Sequence, residues 1–295
     1  MSSANDIPAL PPRDPRGHKG TFGCVTVFGG RCAGGSRMIG APCLSALAAL
    51  RVGAGLARLA TPEPIINAAL TIAPSATGVP IPVDASGEIV PAEGVRILSE
   101  SLLASDVIVI GPGLGVSPAT DALSLQTLVQ DERPVVVDAD AINCLARHPE
   151  LQRDVRASAV LTPHPGEFAR LAERLGLDPA PTPDNARRLA GFLGAIVVLK
   201  GARTVVADGV NAWEHEAALP QLATGGTGDV LAGAIAGLIA QHAGAIGLFA
   251  CAQAAVTAHA EAAREWGESY AADGGMLAPE LLDSLPGAIN ALRSR

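Results

Sequence analysis

Short, continuous runs of branched aliphatic residues recur along this chain of 295 residues, each leading into glycine or a polar group and then into a helix-like segment. The runs fall at 24–28, 56–60, 107–110, 135–138, 160–162, 196–200 and 204–207. Several are unbroken Val/Ile/Leu without a polar residue at every second position, as strands buried on both faces should be. Helical periodicity covers 39–52, 91–103, 118–130, 141–146, 166–175, 185–193, 229–241 and 246–265. Strands alternating with helices require right-handed crossovers, so the sequence predicts an α/β fold with a mostly parallel sheet. Segment 71–92, rich in Pro, Gly and Thr, reads as an excursion of loops or short strands. No Pro/Ser-rich linker and no internal repeat divides the chain. The expectation is one domain over residues 16–295 behind a flexible tail of residues 1–15.

Composition narrows the function. At 48% hydrophobic and 17% charged, the chain has ample material for a sizeable core and is not disordered as a whole. A formal net charge of −8 with no basic stripe argues against a nucleic-acid partner. The first residues lack the charged-then-apolar layout of a signal peptide. No apolar run reaches about 18 residues without Gly, Pro or charge, so no membrane span is expected. Cys24, Cys32, Cys43, Cys144 and Cys251 are scattered and form no C-x-x-C. They read as reduced, buried, small hydrophobes of a cytoplasmic protein.

The segment Thr224-Gly225-Gly226-Thr227-Gly228-Asp229 stands directly before a helix carrying Val230, Leu231, Ala234, Ile235, Leu238 and Ile239 at helical spacing. Glycines ahead of a helix N-terminus let backbone amides converge on an anion. A carboxylate among those donors would repel a bound phosphate, so Asp229 suits a proton acceptor toward a substrate hydroxyl. The pairing suggests phosphoryl transfer. The plain alternative is an ordinary N-cap, worth about 1 kcal/mol.

In parallel sheets the ligand lies outside the carboxyl ends of the strands, so residues that follow each run carry weight. Gly111-Pro112-Gly113-Leu114-Gly115 follows one run, but Val116 stands where G-x-G-x-x-G needs glycine. No G-x-x-x-x-G-K-[ST] occurs, which excludes a P-loop enzyme. Asp138 and Asp140 follow another run, either capping the next helix or acting as an acid–base pair. His164, between two prolines, is a solvent-facing turn residue or a ligand contact. Glu167 is a helix cap or holds magnesium through water. Lys200-Gly201-Ala202-Arg203-Thr204 suits contact with a nucleotide phosphate or ribose. Arg16-Gly17-His18-Lys19-Gly20 is by itself a flexible basic segment, and Gly34-Gly35-Ser36 through Gly40-Ala41 is a second glycine loop opening onto a helix.

Taken in order, His18-Lys19-Gly20, Gly35-Ser36, Gly53-Ala54-Gly55-Leu56, Gly111-Pro112-Gly113-Leu114-Gly115, Asp138-Ala139-Asp140-Ala141, Leu161-Thr162-Pro163-His164-Pro165-Gly166-Glu167 and Gly225-Gly226-Thr227-Gly228-Asp229-Val230-Leu231-Ala232-Gly233 resemble the ADP-dependent NAD(P)H-hydrate dehydratases. The resemblance runs from about residue 16 to residue 292. The phosphate loop with its Asp is shared with the wider ribokinase-like superfamily, whereas the Thr-Pro-His-Pro-Gly-Glu and Gly-Pro-Gly-Leu-Gly stretches separate the dehydratases from sugar kinases.

The resemblance implies a ribokinase-like three-layer α/β/α sandwich and a lyase. Its reaction restores NAD(P)H from the S epimer of the hydrated dinucleotide (NADHX or NADPHX), consuming ADP and releasing AMP and phosphate. The implied route phosphorylates the C6 hydroxyl and then expels phosphate. Asp229 would be the base, with Gly225, Gly226, Thr227 and Gly228 at the nucleotide's transferring phosphate. Ala41, Gly115, His164 and Asp229 would contact the hydrated dinucleotide, and Lys200, Gly201, Ala202, Arg203 and Thr204 the nucleotide. Mg2+ is implied as cofactor, without an identified protein ligand, and a homotetramer as assembly. Only a short tail precedes His18, so a separate epimerase is expected to supply the S epimer. Two departures stand out. The Gly-Asn-Pro stretch usual before the anion loop is replaced by Ala217-Ala218-Leu219-Pro220-Gln221-Leu222, and the first glycine loop is longer around Arg31-Cys32-Ala33. The rival readings are a ribokinase-like kinase of a small alcohol, such as a thiamin precursor, and a non-catalytic nucleotide-binding protein.

Overall fold

A computed structural model describes residues 7, 9–148 and 150–294. Of the expected tail, residues 1–6 and 8 lie outside the described residues. Leu10 is only 2% exposed and its amide donates to the Leu292 carbonyl at 3.2 Å, so the expected flexibility does not extend to Leu10.

The strands are β1 (Cys24–Phe28), β2 (Leu56–Pro62), β3 (Thr77–Ile81), β4 (Val107–Ile110), β5 (Val135–Val137), β6 (Ala159–Leu161), β7 (Ile196–Leu199), β8 (Arg203–Ala207) and β9 (Ala212–Glu216). They form one sheet in the order β3-β2-β1-β4-β5-β6-β7-β8-β9. Pairing is parallel from β3 through β7, and β8 and β9 are added antiparallel. Alternate side chains of each strand point to opposite faces. Val107 and Val109 of β4 join one apolar layer, and Ile108 and Ile110 join the other. The first layer is closed by α1 (Gly40–Arg51), α2 (Ile66–Ile72), α8 (Thr227–Tyr270) and α9 (Ala278–Arg293). The second is closed by α3 (Pro91–Ala104), α4 (Pro118–Val129), α5 (Asp140–Leu145), α6 (Pro165–Arg174) and α7 (Pro183–Leu193). The three-layer sandwich is therefore as the sequence implied.

Three elements, α2, β9 and α9, were not expected as regular structure, and β3 falls in the segment 71–92 read as loops or short strands. Both sheet edges, β3 and β9, read poorly because each is solvated on one side: β3 contains Gly78 and Pro80, and β9 alternates Trp213 with Glu214 and His215. The helix α9 carries Pro279 and Pro286 and forms nonetheless, with Leu281, Leu282, Leu285 and Ile289 buried against α8. The helices expected at 229–241 and 246–265 are the two halves of α8, divided at Gly247 by a non-helical φ of 78°. Its length and hydropathy would suit a membrane span, but half of its most apolar window is buried inside the protein, as in a core helix. All five cysteines are free and buried.

What positions α8 is its approach to α1. A Cβ on Gly233 would overlap the Ser45 carbonyl, and one on Gly237 would meet the Ala49 carbonyl at 2.7 Å. Two glycines one turn apart thus let the helix backbones touch, and Ser45 Oγ uses the proximity to donate to the Asp229 carbonyl at 2.8 Å. Gly233→Ala should force the helices apart and destabilise the fold by about 1–3 kcal/mol, read as a lower denaturant midpoint at unchanged slope. A midpoint equal to that of the parent would show that the contact has room to relax.

Candidate active site

The strand order changes direction between β1 and β4, where neighbouring loops leave toward opposite sides and open a crevice. The Gly30 amide donates to the Pro112 carbonyl at 2.9 Å and the Gly111 amide to the Phe28 carbonyl at 3.1 Å, locking the two loops together. Gly111 adopts a φ of 122°, and a Cβ there would overlap the Asp138 carbonyl, so the end of β4 and the end of β5 are in backbone contact. Beyond this turn, a Cβ on Gly113 would lie 3.4 Å from the Ala41 Cβ. The Gly115 amide donates to Asp140 Oδ2 at 2.8 Å. The structure thus gathers Ala41, Gly115 and Asp140 at one edge.

The first turn of α8 faces the same edge. Gly226 is its N-cap, in the left-handed region, packed against Leu44 and Ala278. Asp229 is the third helical residue and not a cap, which removes the plain alternative. Thr227 Oγ1 donates to the carbonyls of Leu222 and Thr224 at 2.9 and 3.0 Å, and the buried His259 ring meets the Thr227 carbonyl at 2.9 Å. The loop is therefore held from outside while the first amides of the helix have no partner within it.

Charge is concentrated here. Asp138, 1% exposed, accepts from Lys200 Nζ at 2.7 Å and from Thr162 Oγ1 at 2.6 Å. Burial works against the Lys200 ammonium, but Asp138, Glu167 and Asp229 outweigh it and raise its pKa. Burial, with the charges of Asp138, Asp140 and Glu167, pushes the Asp229 carboxyl up to about 7, although Lys200 opposes the shift. The expected capping of the next helix by Asp138 or Asp140 does not occur. Ala139 is the N-cap of α5, with a φ of 49° and no side-chain cap bond, because Asp138 is drawn to Lys200 and Asp140 to Gly115. A non-glycine residue in that region is strained, and it sits directly between the two carboxylates.

His164 is a half-exposed turn residue, as one of its readings had it, and caps the next helix. Its Nδ1 accepts from the Gly166 amide at 3.0 Å, capping α6, and Glu167 returns the capping box by accepting from the His164 amide at 2.8 Å. Its ring also lines a cavity of about 680 Å³, a volume in the range of small-molecule sites. Burial, then Lys200 and Arg170, hold the ring below its ordinary pKa.

Lys200, Gly201, Ala202 and Thr204 form one wall of that cavity, Leu219, Pro220 and Leu222 another, and Thr227, Gly228, Leu231 and His259 close it. Arg203, expected among the nucleotide contacts, is not in the lining. It pairs with Glu214 at 3.2 Å and Glu216 at 3.4 Å because β9 lies alongside β8. Gly225 and Gly226 also lie outside the lining and serve the turn. Sequence reasoning missed His259 and the Lys200–Asp138 pair. Thirty-two residues separate His259 from Thr227 and 62 separate Lys200 from Asp138, so no local spacing could announce them.

Raising the pKa of Asp229 in the folded protein means that its ionisation opposes folding. Stability from this group is complete below its unfolded value near 4 and is lost as pH rises through about 7. Asp229→Asn should therefore raise the melting temperature at pH 8 and leave it unchanged at pH 4. Equal melting temperatures at both pH values would mean that the carboxylate is solvated.

Comparison with known proteins agrees with the geometry. Residues 32–287 match the NAD(P)H-hydrate dehydratase family. A bifunctional NAD(P)H-hydrate repair enzyme of Thermofilum pendens is 38% identical over 292 residues, covering 98% of this chain and 54% of that protein. The chain thus spans about half the length of several of the curated relatives it matches. An ADP-dependent (S)-NAD(P)H-hydrate dehydratase of Xanthomonas campestris is 34% identical, with 98% of this chain and 96% of that one covered. The ADP/ATP-dependent NAD(P)H-hydrate dehydratase of Bacillus subtilis, crystallised with ATP and Mg2+, superposes with a TM-score of 0.75 at 28% identity, covering 98% and 99% of the two chains. On its sequence and its ribokinase-like fold, this chain belongs to the NAD(P)H-hydrate dehydratase family.

Proposed function

We propose that this protein restores NAD(P)H from the S epimer of its hydrate, using ADP and releasing AMP and phosphate. The observation that carries the reading is Asp229, a carboxylate with its pKa at about 7, beside the free amides of the α8 first turn and the Lys200 ammonium. In this reading Asp229 accepts the proton of the C6 hydroxyl, whose oxygen attacks the β-phosphoryl group of ADP, and AMP departs. The ring nitrogen then donates electrons as the C6–O bond breaks and phosphate leaves, and loss of a C5 proton from the resulting iminium forms the C5–C6 double bond of the reduced nicotinamide. Hydroxide leaves poorly and a phosphate ester leaves readily, so the kinase half-reaction makes the dehydration feasible. The helix amides and the nearby glycines stabilise charge on the moving phosphoryl group.

ADP would occupy the cavity of about 680 Å³, with its sugar and base against Lys200, Gly201, Ala202 and Thr204 and its phosphates toward Thr227 and Gly228. His164, Ala41 and Gly115 would receive the hydrated dinucleotide. In place of the usual Gly-Asn-Pro, Leu219 and Pro220 offer the nucleotide an apolar wall. Mg2+ fits the chemistry of the edge. Asp138, Asp140, Glu167 and Asp229 outnumber the cations that act on them, Lys200 and Arg170, so an anionic nucleotide needs a further cation. Among the described residues no group of three or more His, Cys, Asp or Glu could cage a metal, so the ion would be held by one carboxylate with water and phosphate. Bound there, it would neutralise charge on the transferring phosphate. A homotetramer and a functional link to an epimerase of the hydrated dinucleotide complete the reading, with the cytoplasm as its location.

Incubation of the hydrated S epimer with ADP and Mg2+ should return the near-ultraviolet absorbance of reduced nicotinamide, with one AMP formed per turnover. Accumulation of a stable phosphorylated alcohol without that absorbance would instead indicate a kinase. Asp229→Asn should lower kcat by about 10²–10⁴-fold. Because the base must be ionised, kcat/KM should rise with pH and level off above about 7, following the free enzyme. A flat profile from pH 5 to 9 would argue against Asp229 as base. Arg203→Ala should leave KM for ADP within about twofold of the parent, since its guanidinium is spent on Glu214 and Glu216 in the rim, where exposed pairs contribute little.

A further inference from the structure

His259 lines the nucleotide cavity and has no part in the chemistry assigned to Asp229. In a straight helix it would stand about 48 Å from Thr227. Its Nε2 nevertheless lies 2.9 Å from the Thr227 carbonyl. The break at Gly247 divides α8, and the half that carries His259 returns beside the first turn. A carbonyl can only accept, so Nε2 carries the ring hydrogen. Burial holds the ring at a pKa of about 4, against the Thr227 hydrogen bond and with the help of Lys200. At neutral pH the imidazole is uncharged, and Nδ1 is then a bare acceptor.

Nδ1 is the unused half of this side chain. Among the described residues nothing donates to it, and solvent reaches it through the cavity that the ring lines. Lys200, the cation whose charge acts on the ring, is turned to Asp138 at 2.7 Å. Val256 and Ala260, which line the same cavity on either side of His259 along α8, carry no polar side-chain atom. Bracing the Thr227 carbonyl takes one nitrogen only. When a ligand displaces water from the cavity, the other is desolvated, and leaving it without a donor is costly.

The lone pair on Nδ1 also decides what can sit against it. Phosphate oxygens are acceptors and would be repelled there, whereas the amides of the α8 first turn and Lys200 attract them. Two other parts of an adenine nucleotide donate without carrying charge, the sugar hydroxyls and the amine of the base.

We propose that His259 is a specificity residue for the nucleotide, its Nδ1 accepting a hydrogen bond from an uncharged O–H or N–H donor of ADP. The proposal rests on the reading that ADP fills this cavity, and the test separates the two. It is equilibrium binding to the full chain, followed by calorimetry without turnover, of ADP, 2′-deoxy-ADP, 3′-deoxy-ADP and IDP, in which oxygen replaces the base amine. One analogue should bind about tenfold or more weakly than ADP, because Nδ1 is then desolvated without its donor. A deoxy analogue would name the sugar as the source of that donor, and IDP the base. In His259→Leu the preference should disappear, whereas a merely structural loss would weaken both nucleotides by the same factor and preserve it. Since His259→Leu also gives up the bond to Thr227, the parent supplies a second readout. The nitrogen resonance of His259 Nδ1 should move upfield on saturation with ADP and stay in place with the discriminated analogue. Equal affinity for all four nucleotides in the parent, or an unchanged preference in His259→Leu, would overturn the proposal and leave ADP in the cavity. Failure of ADP itself to saturate would remove the nucleotide reading, and this proposal with it.

Discussion

The buried pair of Lys200 and Asp138 is the interaction on which the catalytic edge depends. It ties the end of β7 to the end of β5 across the intervening strand, with Thr162 just past that strand supplying a second hydrogen bond to the same carboxylate oxygen. Removing either partner would leave a charge in a desolvated place, which is far more costly than losing an exposed pair. The pair also sets the electrostatics above it. Lys200 stands near Gly228 and lowers the pKa of Asp229, while three carboxylates and burial raise it. The balance leaves Asp229 near neutrality, the range in which a general base works best.

A second constraint is the contact between α1 and α8. It is made by glycines at the crossing and by a serine hydroxyl that reaches the carbonyl of Asp229 itself. Packing and the site are thus continuous: the helix that carries Asp229 is seated by the same turn that closes the apolar layer. The strained Ala139, the left-handed Gly226 and the overlap that excludes any side chain at Gly111 cluster at this edge, where strain commonly accompanies function.

Much of the architecture was legible beforehand. The inner strands are unbroken apolar runs, and burial on both faces leaves no other composition that works. The edge strands were less legible: β3 lay in a segment read only as loops or short strands and β9 was not expected, because Pro80, Gly78 and the alternating Glu214–His215 residues are what a half-solvated strand tolerates. In the site, Asp229, Lys200 and His164 stood out because each follows a strand or a glycine loop. Arg203 stood out for the same reason and points elsewhere, since its partners come from a strand that the sequence did not reveal.

By itself, the sequence determined the layers, the edge at which the candidate site lies and the residue types available there, because periodicity and glycine placement are local and follow from backbone geometry. Only the tertiary structure decided which charges meet. Whether a carboxylate caps a helix, neutralises a lysine or waits near neutrality as a base depends on burial and on neighbours distant in the chain. Electrostatic energy depends on distance through space, and distance along the chain does not encode it.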